Sequence, residues 1–331
     1  MTALELLAAF VLIVGGAVGF TNAVEWLGQR LDLGQGAVGA LLAAVGTALP
    51  ESVIPIVALA GGGGTEAQEI AIGAIIGAPF LLGTLAMLLV VGSAHLFKAR
   101  REQGTDVAGE ERATRRDLDW FLCLMPVGIV LGVAGLPGGA RYAGAALLVG
   151  AYVTYAWRTI ARSGDAGDED SLDPLYFDWS RDDPPSGLQI AAQFAVSLAA
   201  IVGGAELFVG AVERIAESAG IEPLVLALVL APLATEMPEK ANSVLWVRRG
   251  KDALALGNVT GAMTFQASVP VALGLAFTPW DLSTQAVVAA IVGLAGGALA
   301  RWTLPRHRIG MVPVLAWGAM FSGYVAFAAL S

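Results

Sequence analysis

Two short segments place a carboxylate beside a proline inside an otherwise apolar run: VGTALPES from Val45 to Ser52, and APLATEMPEK from Ala231 to Lys240. A proline within a helix removes one backbone hydrogen bond and crowds the carbonyl four residues back, so carbonyl oxygens near the break become available to a ligand. The adjacent Glu51 and Glu239 supply negative charge. An ionised side chain at mid-membrane depth costs roughly 2.5–3.5 kcal/mol on insertion scales, so such glutamates call for a compensating cation or for protons. Thr47 and Glu51 are four residues apart, as are Thr235 and Glu239, which puts each hydroxyl on the helix face of its carboxylate. The second segment adds Glu236, with Lys240 four residues on as its default neutralising partner.

The elements that must carry these residues follow from composition. The chain has 331 residues, 56% of them hydrophobic and only 14% charged, with a mean hydropathy of +0.70. Soluble domains carry about 25% charged residues, so a bilayer is the environment that makes this composition sensible. Apolar runs predict ten transmembrane helices, near 4–28, 35–60, 68–94, 119–136, 140–161, 188–214, 223–247, 253–278, 284–301 and 309–330. With the loop after the third span cytoplasmic, sixteen of the nineteen Lys and Arg residues lie on that side, Arg141 and Arg214 lie opposite, and Lys240 is within a span. The positive-inside rule then places both termini on the non-cytoplasmic side of a plasma (inner) membrane. The N-terminus lacks the basic region of a cleavable signal, so the run from Ala3 reads as a retained span.

The net charge of -9, with no basic stripe interleaved with aromatics, argues against nucleic-acid binding. A single cysteine, Cys123, excludes an internal disulfide and any Cys-based metal cluster. The acidic stretch between spans five and six, residues 163–187, reads as a solvated, partly disordered cytoplasmic connector. His95 and His307 fall at cytoplasmic span ends, where they read as interfacial groups.

Displacing the chain against itself by 188 residues superposes Gly15–Glu51 on Gly203–Glu239, with 12 of 37 positions identical, Pro50-Glu51 over Pro238-Glu239 among them. At an offset of 184, AIGAIIGA from Ala71 meets ALGNVTGA from Ala255. Five spans per copy is an odd number, so the second copy enters the membrane from the opposite side. That is the inverted-repeat plan of secondary transporters, with sites near the midplane on interrupted helices. The expected fold is an all-α integral membrane protein of ten transmembrane helices, two inverted five-helix repeats (1–162 and 188–331) with helices two and seven broken. Gly73 with Gly77, and Gly257 with Gly261, form small-xxx-small faces that allow close helix approach. Asn258, Ala262 and Gln266 share one stripe and add amide oxygens, where the first copy has Ala74, Ala78 and Leu82.

GTALPE at Gly46–Glu51, ATEMPE at Ala234–Glu239, and the GAIIGA and GNVTGA segments resemble the two alpha repeats of the sodium/calcium exchanger family, within the cation/calcium exchanger superfamily. Its members typically show G-T-S-L-P-E and G-N-x-x-G-S-N-x-F-N. The resemblance implies that Glu51 and Glu239 are central calcium ligands, that Thr47 and Thr235 help them, and that ions move by alternating access. Several positions depart from the pattern. Ala48 and Glu236 stand where the family has Ser, Ala74 stands where it has Asn while Asn258 is kept, Ala78 and Ala262 replace Ser, and Pro79 and Met263 replace Asn or Asp. Oxygens expected around sodium are missing and one extra carboxylate has appeared, so carbonyls and water must complete the six or more oxygens that calcium takes. The candidate cation ligands are therefore Glu51, Glu239, Thr47, Thr235, Glu236 and Asn258.

The expectation is a cation antiporter rather than an enzyme, with no resident cofactor. Calcium is exchanged for sodium, or in a rival reading for protons, and the partners are the lipid bilayer and inorganic cations. No obligatory protein partner is evident. An intramembrane enzyme is disfavoured by the lack of HExxH, of a Ser with a usable in-span His, and of an in-span aspartate pair. A non-transporting protein that keeps the exchanger fold is the more distant alternative.

Overall fold

The computed structural model describes residues 2–30, 49–60, 64–107, 111–135, 137–161, 172–178, 184–219, 223–304 and 309–330. Among these there is no strand. The helices are α1 (Thr2–Arg30), α2 (Leu49–Ala60), α3 (Gly64–Leu81), α4 (Met87–Leu96), α5 (Glu111–Val133), α6 (Gly138–Ile160) and α7 (Gly187–Ala219). They continue with α8 (Pro223–Thr235), α9 (Met237–Arg248), α10 (Asp252–Gln266), α11 (Val269–Phe277), α12 (Thr284–Thr303) and α13 (Met311–Leu330). Five helical runs among the described residues are long and apolar enough to cross a membrane: Gly64–Leu96, Gly187–Val212, Asp252–Phe277, Thr284–Thr303 and Met311–Leu330. The full count of ten depends partly on residues 31–48, which lie outside the described residues.

Helix interruptions fall where the sequence supplies a cause. The seventh predicted span is two helices, α8 and α9, meeting at Glu236. Pro238 has no N–H to donate to the Ala234 carbonyl. The eighth span, expected to be continuous, is broken at Ala267-Ser268. There Pro270 cannot donate to the Gln266 carbonyl, and Ser268 Oγ donates back to Thr264 O at 2.8 Å. The third span stays helical but widens to a π-helical turn over Leu82–Ala86, with Thr84 Oγ1 donating to Phe80 O at 2.6 Å. Thr84 and Ser268 are 184 residues apart, the same offset that aligns AIGAIIGA with ALGNVTGA.

Helices α1 and α7 form a pair with its own apolar core, including Ile13, Phe20, Ile201 and Phe208, which also takes in Ile54 of α2 and Ile70 of α3. Each helix brings a Gly-Gly step to the crossing. A Cβ on Gly16 would lie 2.8 Å from Ser197 O, and one on Gly204 would lie 2.8 Å from Ile13 Cγ1. Their neighbours Gly15 and Gly203 have no described atom within 4 Å of such a Cβ. Part of the connector is docked rather than solvated. Asn22 Nδ2 and Trp26 Nε1 donate to Asp173 O at 3.2 and 3.1 Å, Phe177 N donates to Gln193 Oε1 at 2.9 Å, and Leu175 is buried against Ala23, Trp26 and Ile190. Five residues of α1 and α7, Asn22, Ala23, Trp26, Ile190 and Gln193, meet it, which a reading of net acidity alone misses.

The remaining helices share a second core, with Phe80, Phe121, Leu228, Met263 and Trp317 among its members. At the end predicted to face the cytoplasm, Arg101 ties the segment after α4 to the α9–α10 turn. Its Nη1 and Nη2 donate to the two carboxylate oxygens of Asp252 at 2.7 Å each. Nε donates to Gly104 O at 3.0 Å, Nη2 also to Asp106 O at 2.7 Å, and Nη1 also to Val247 O. All the N–H groups of the guanidinium are thereby used, which is what makes a fully buried arginine tolerable.

The glycine crossing yields a direct test. Gly16→Val and Gly204→Val are each expected to destabilise the protein by about 1–3 kcal/mol through overpacking, read as a lower thermal midpoint in detergent. Gly15→Val and Gly203→Val should leave that midpoint unchanged.

Candidate cation site

The break between α8 and α9 is where the structure gathers polar groups. Glu236 and Lys240 are 1% and 2% exposed, and the ammonium donates to Glu236 Oε2, so the i, i+4 pair expected from sequence is formed and wholly buried. Backbone bonds run through the break, from Glu236 N to Pro232 O at 2.9 Å and from Lys240 N to Glu236 O at 3.1 Å. One turn beyond Lys240 on the same helix, Ser243 is fully buried. Asn258 of α10 reaches it, Nδ2 to Ser243 Oγ at 3.4 Å, and its buried Oδ1 has no hydrogen-bond partner among the described residues. Two turns further along the same stripe, Gln266 is 1% exposed and its Oε1 also has no partner.

A buried amide oxygen without a donor costs about 1–3 kcal/mol, so two on one stripe mark oxygens free to accept from a ligand. Neither Ser243 nor Gln266 was among the ligand candidates. Ser243 could have been found by spacing, since it lies seven residues after Glu236 and three after Lys240, on one face of α9. Ser52, which follows Glu51, is a third buried polar group with no partner for its hydroxyl.

Of the residues singled out from sequence, Glu236 is thus buried against Lys240, and Asn258 is buried against Ser243, seven residues after Glu236. Glu51 lies in α2, Thr235 ends α8 and Glu239 lies in α9, but their side chains are outside the described residues, as is all of Thr47. Glu206 is exposed on α7 and is not part of this region. The small-residue faces differ. Gly73 and Gly77 of α3 receive α8, with a Cβ on Gly73 reaching within 2.7 Å of Leu224 O and one on Gly77 within 2.7 Å of Pro232 Cγ. Gly257 has no described atom within 4 Å of its would-be Cβ. Close approach in the first copy therefore seats the broken helix of the second.

A supporting network on the other side of α10 was not foreseen. Asp117 of α5 is buried and accepts from Tyr155 Oη at 3.0 Å, Thr260 Oγ1 at 3.0 Å and Arg116 Nη2 at 2.9 Å. Thr264 Oγ1 donates to the Asp117 carbonyl at 2.9 Å. These bonds fix α10 against α5 and α6, so the face bearing Asn258 is held from behind. Asp117 was legible only as a charge near a span end; its partners come from three different helices.

Comparison with known proteins settles the lineage. The family profile described as "Sodium/calcium exchanger protein" matches residues 2–161 and 190–331. The chain belongs to the sodium/calcium exchanger family. Among curated relatives, the inner membrane protein YrbG of Escherichia coli K12 is 25% identical over 287 residues, 85% of this chain and 81% of its own length. The crystal structure of the H+/Ca2+ exchanger CAX superposes with a TM-score of 0.75 at 18% identity, covering 99% of this chain and 86% of that one. The sodium-calcium exchanger NCX_Mj, soaked with 2.5 mM Na+ and 1 mM Sr2+, gives a TM-score of 0.65 at 20% identity, covering 98% of this chain and 97% of its own. At these identities the two structures establish a shared fold. The exchanger chain is a multi-pass membrane transporter, and members of its family need no bound cofactor.

The buried pair makes a stability prediction for this exchanger. Lys240→Met should cost about 3–5 kcal/mol by removing the buried ammonium that donates to Glu236 Oε2. The double variant Glu236→Gln/Lys240→Met should recover most of that loss, measured as thermal midpoints in detergent.

Proposed function

We propose that this protein exchanges calcium for a monovalent cation by alternating access, with Glu51 and Glu239 as central ligands and Thr47 and Thr235 beside them. Glu236 and Asn258 complete the polar lining. The ligands come from two inverted five-helix repeats, 1–162 and 188–331, joined by the connector 163–187. The observation that carries the reading is the interrupted helix at Glu236, three residues before the motif glutamate Glu239, together with a buried Asn258 on α10 whose Oδ1 has no partner among the described residues. A cation at this place would satisfy that oxygen and neutralise carboxylates that are otherwise expensive inside a membrane. Exchange follows from competition. The same carboxylates do not hold calcium and the counter-ion together, and reorientation is favourable only when the site is charge-compensated.

Sodium is the counter-ion in the first reading. A proton is the second, favoured by the oxygens this chain lacks at Ala48, Ala74, Ala78, Ala262 and Met263, since a carboxylate takes a proton with no further ligands. The charge asymmetry of the loops supports a plasma (inner) membrane location with both termini outside the cytoplasm.

Calcium uptake into proteoliposomes, driven first by a sodium gradient and then by a pH gradient, separates the two. Glu51→Gln and Glu239→Gln are each expected to reduce uptake to background under whichever gradient drives the wild type. Absence of wild-type uptake under both gradients would overturn the antiporter reading.

A further inference from the structure

The hydrogen bonds around Asp117 close in two different ways. This residue lies on α5, two positions ahead of the fourth predicted span, and is 1% exposed. Its Oδ1 accepts from Arg116 Nε and Nη2 at 3.0 and 2.9 Å and from Tyr155 Oη at 3.0 Å. Its Oδ2 lies 3.0 Å from Thr260 Oγ1 of α10. That hydroxyl also lies 3.0 Å from Leu256 O, four residues back on its own helix, and it has a single proton for the two acceptors. With Asp117 ionised, Thr260 donates to Oδ2 and forgoes Leu256 O. With a proton on Oδ2, the carboxyl donates to Thr260 Oγ1, which donates on to Leu256 O. Both patterns keep the same heavy-atom positions, and only the second uses every contact.

The surroundings bear on which pattern holds. Burial favours the neutral carboxyl and the Arg116 guanidinium opposes it. Burial is the larger influence and pushes Asp117 above the ordinary aspartate range. Arg116 itself is 20% exposed and gives the pair its contact with water. On α6 the neighbouring groups are the phenols of Tyr155 and Tyr152, whose rings are 5.9 Å apart, and Arg158 is exposed. The side chains of α10 that meet Asp117 are the hydroxyls of Thr260 and Thr264, while the acid at the start of that helix, Asp252, is held by Arg101. Of the other charges on α5 and its neighbour α12, Arg301 is engaged by Asp119 and Arg115 by Glu111.

We infer that Asp117 is a proton-binding site of its own, separate from the motif glutamates, where one bound proton reverses the hydrogen bond to Thr260 and leaves the Arg116 charge unpaired beside α10. Binding forms an O–H bond at Oδ2 with a proton taken from water, and no other covalent bond changes. The site holds whether sodium or a proton drives exchange. Thr260 belongs to the helix that carries Asn258, so pH gains a hold on α10 that does not pass through the transported cation.

The test is an infrared titration of the full chain in detergent with its aspartate carboxyls isotopically labelled, and it needs no transport. A protonated carboxyl has a C=O stretch that a carboxylate lacks, and the label separates aspartate from glutamate. Exposed aspartates lose their protons near about pH 3.9, so a labelled band that persists between about pH 5.5 and 8 belongs to a perturbed group. The wild type is expected to show such a band, and Asp117→Asn to lack it. Arg116→Gln should move its midpoint up by about one pH unit or more, because the opposing charge is gone. A purely structural role for the network would give no such titration. Absence of the band in the wild type, or its survival in Asp117→Asn, overturns the inference. If Asp117→Asn does not fold, Arg116→Gln decides: a raised midpoint supports the site, and an unchanged one overturns it.

Discussion

A charge inside hydrocarbon must have a partner, and most of what distinguishes this exchanger follows from how it meets that constraint. Glu236 has Lys240 within its own turn, Asp252 has the fully engaged guanidinium of Arg101, and Asp117 has Arg116, Tyr155 and Thr260. Breaking such a pair from one side costs about 3–5 kcal/mol, whereas an apolar replacement of the whole pair is often neutral. Pairs of this kind are therefore weak devices for stability. Their value here is geometric. Each pins a helix end or a helix break that has lost some of its own backbone bonds.

The breaks themselves are consistent with that view. Pro238 opens the helix at Glu236, Pro270 opens it at Ser268, and the hydroxyls of Ser268 and Thr84 turn back to nearby carbonyls. A transmembrane helix tolerates such defects only where protein, and not lipid, surrounds them. The surrounding residues meet that condition, since Thr260, Thr264, Gln266 and Ser268 are all buried to 1% exposure or less. The close seat of α8 on Gly73 and Gly77 excludes lipid from the first of the two breaks, and the bonds from Asp117 hold the helix that carries the second.

Much of this was readable in the sequence because period and charge are local signals. The proline-flanked glutamates, the Gly-Gly steps and the i, i+4 spacing of Glu236 and Lys240 all sit within a few residues of one another, and a repeat offset is a property of the string. What was not readable required partners distant in the chain. Gln266 looked like one member of a stripe until the break beside it and its unpartnered Oε1 were seen. Asp117 is held by groups 38 and 143 residues away, and no spacing rule connects them. The docking of residues 172–178 was not readable for a related reason. The connector's acidity suggests solvation, but the groups that dock it are backbone carbonyls, Leu175 and Phe177 N, which net charge does not register.

That docking has a mechanical consequence. Residues 172–178 of the connector are fastened to Asn22 and Trp26 on α1 and to Gln193 on α7. Gln193 Nε2 also donates to Asn22 Oδ1 at 2.8 Å, joining the two helices at the residues that hold the connector. Tension on the connector is therefore delivered to the two crossed helices jointly. It would drag them as one body, with no leverage for prying one away from the other.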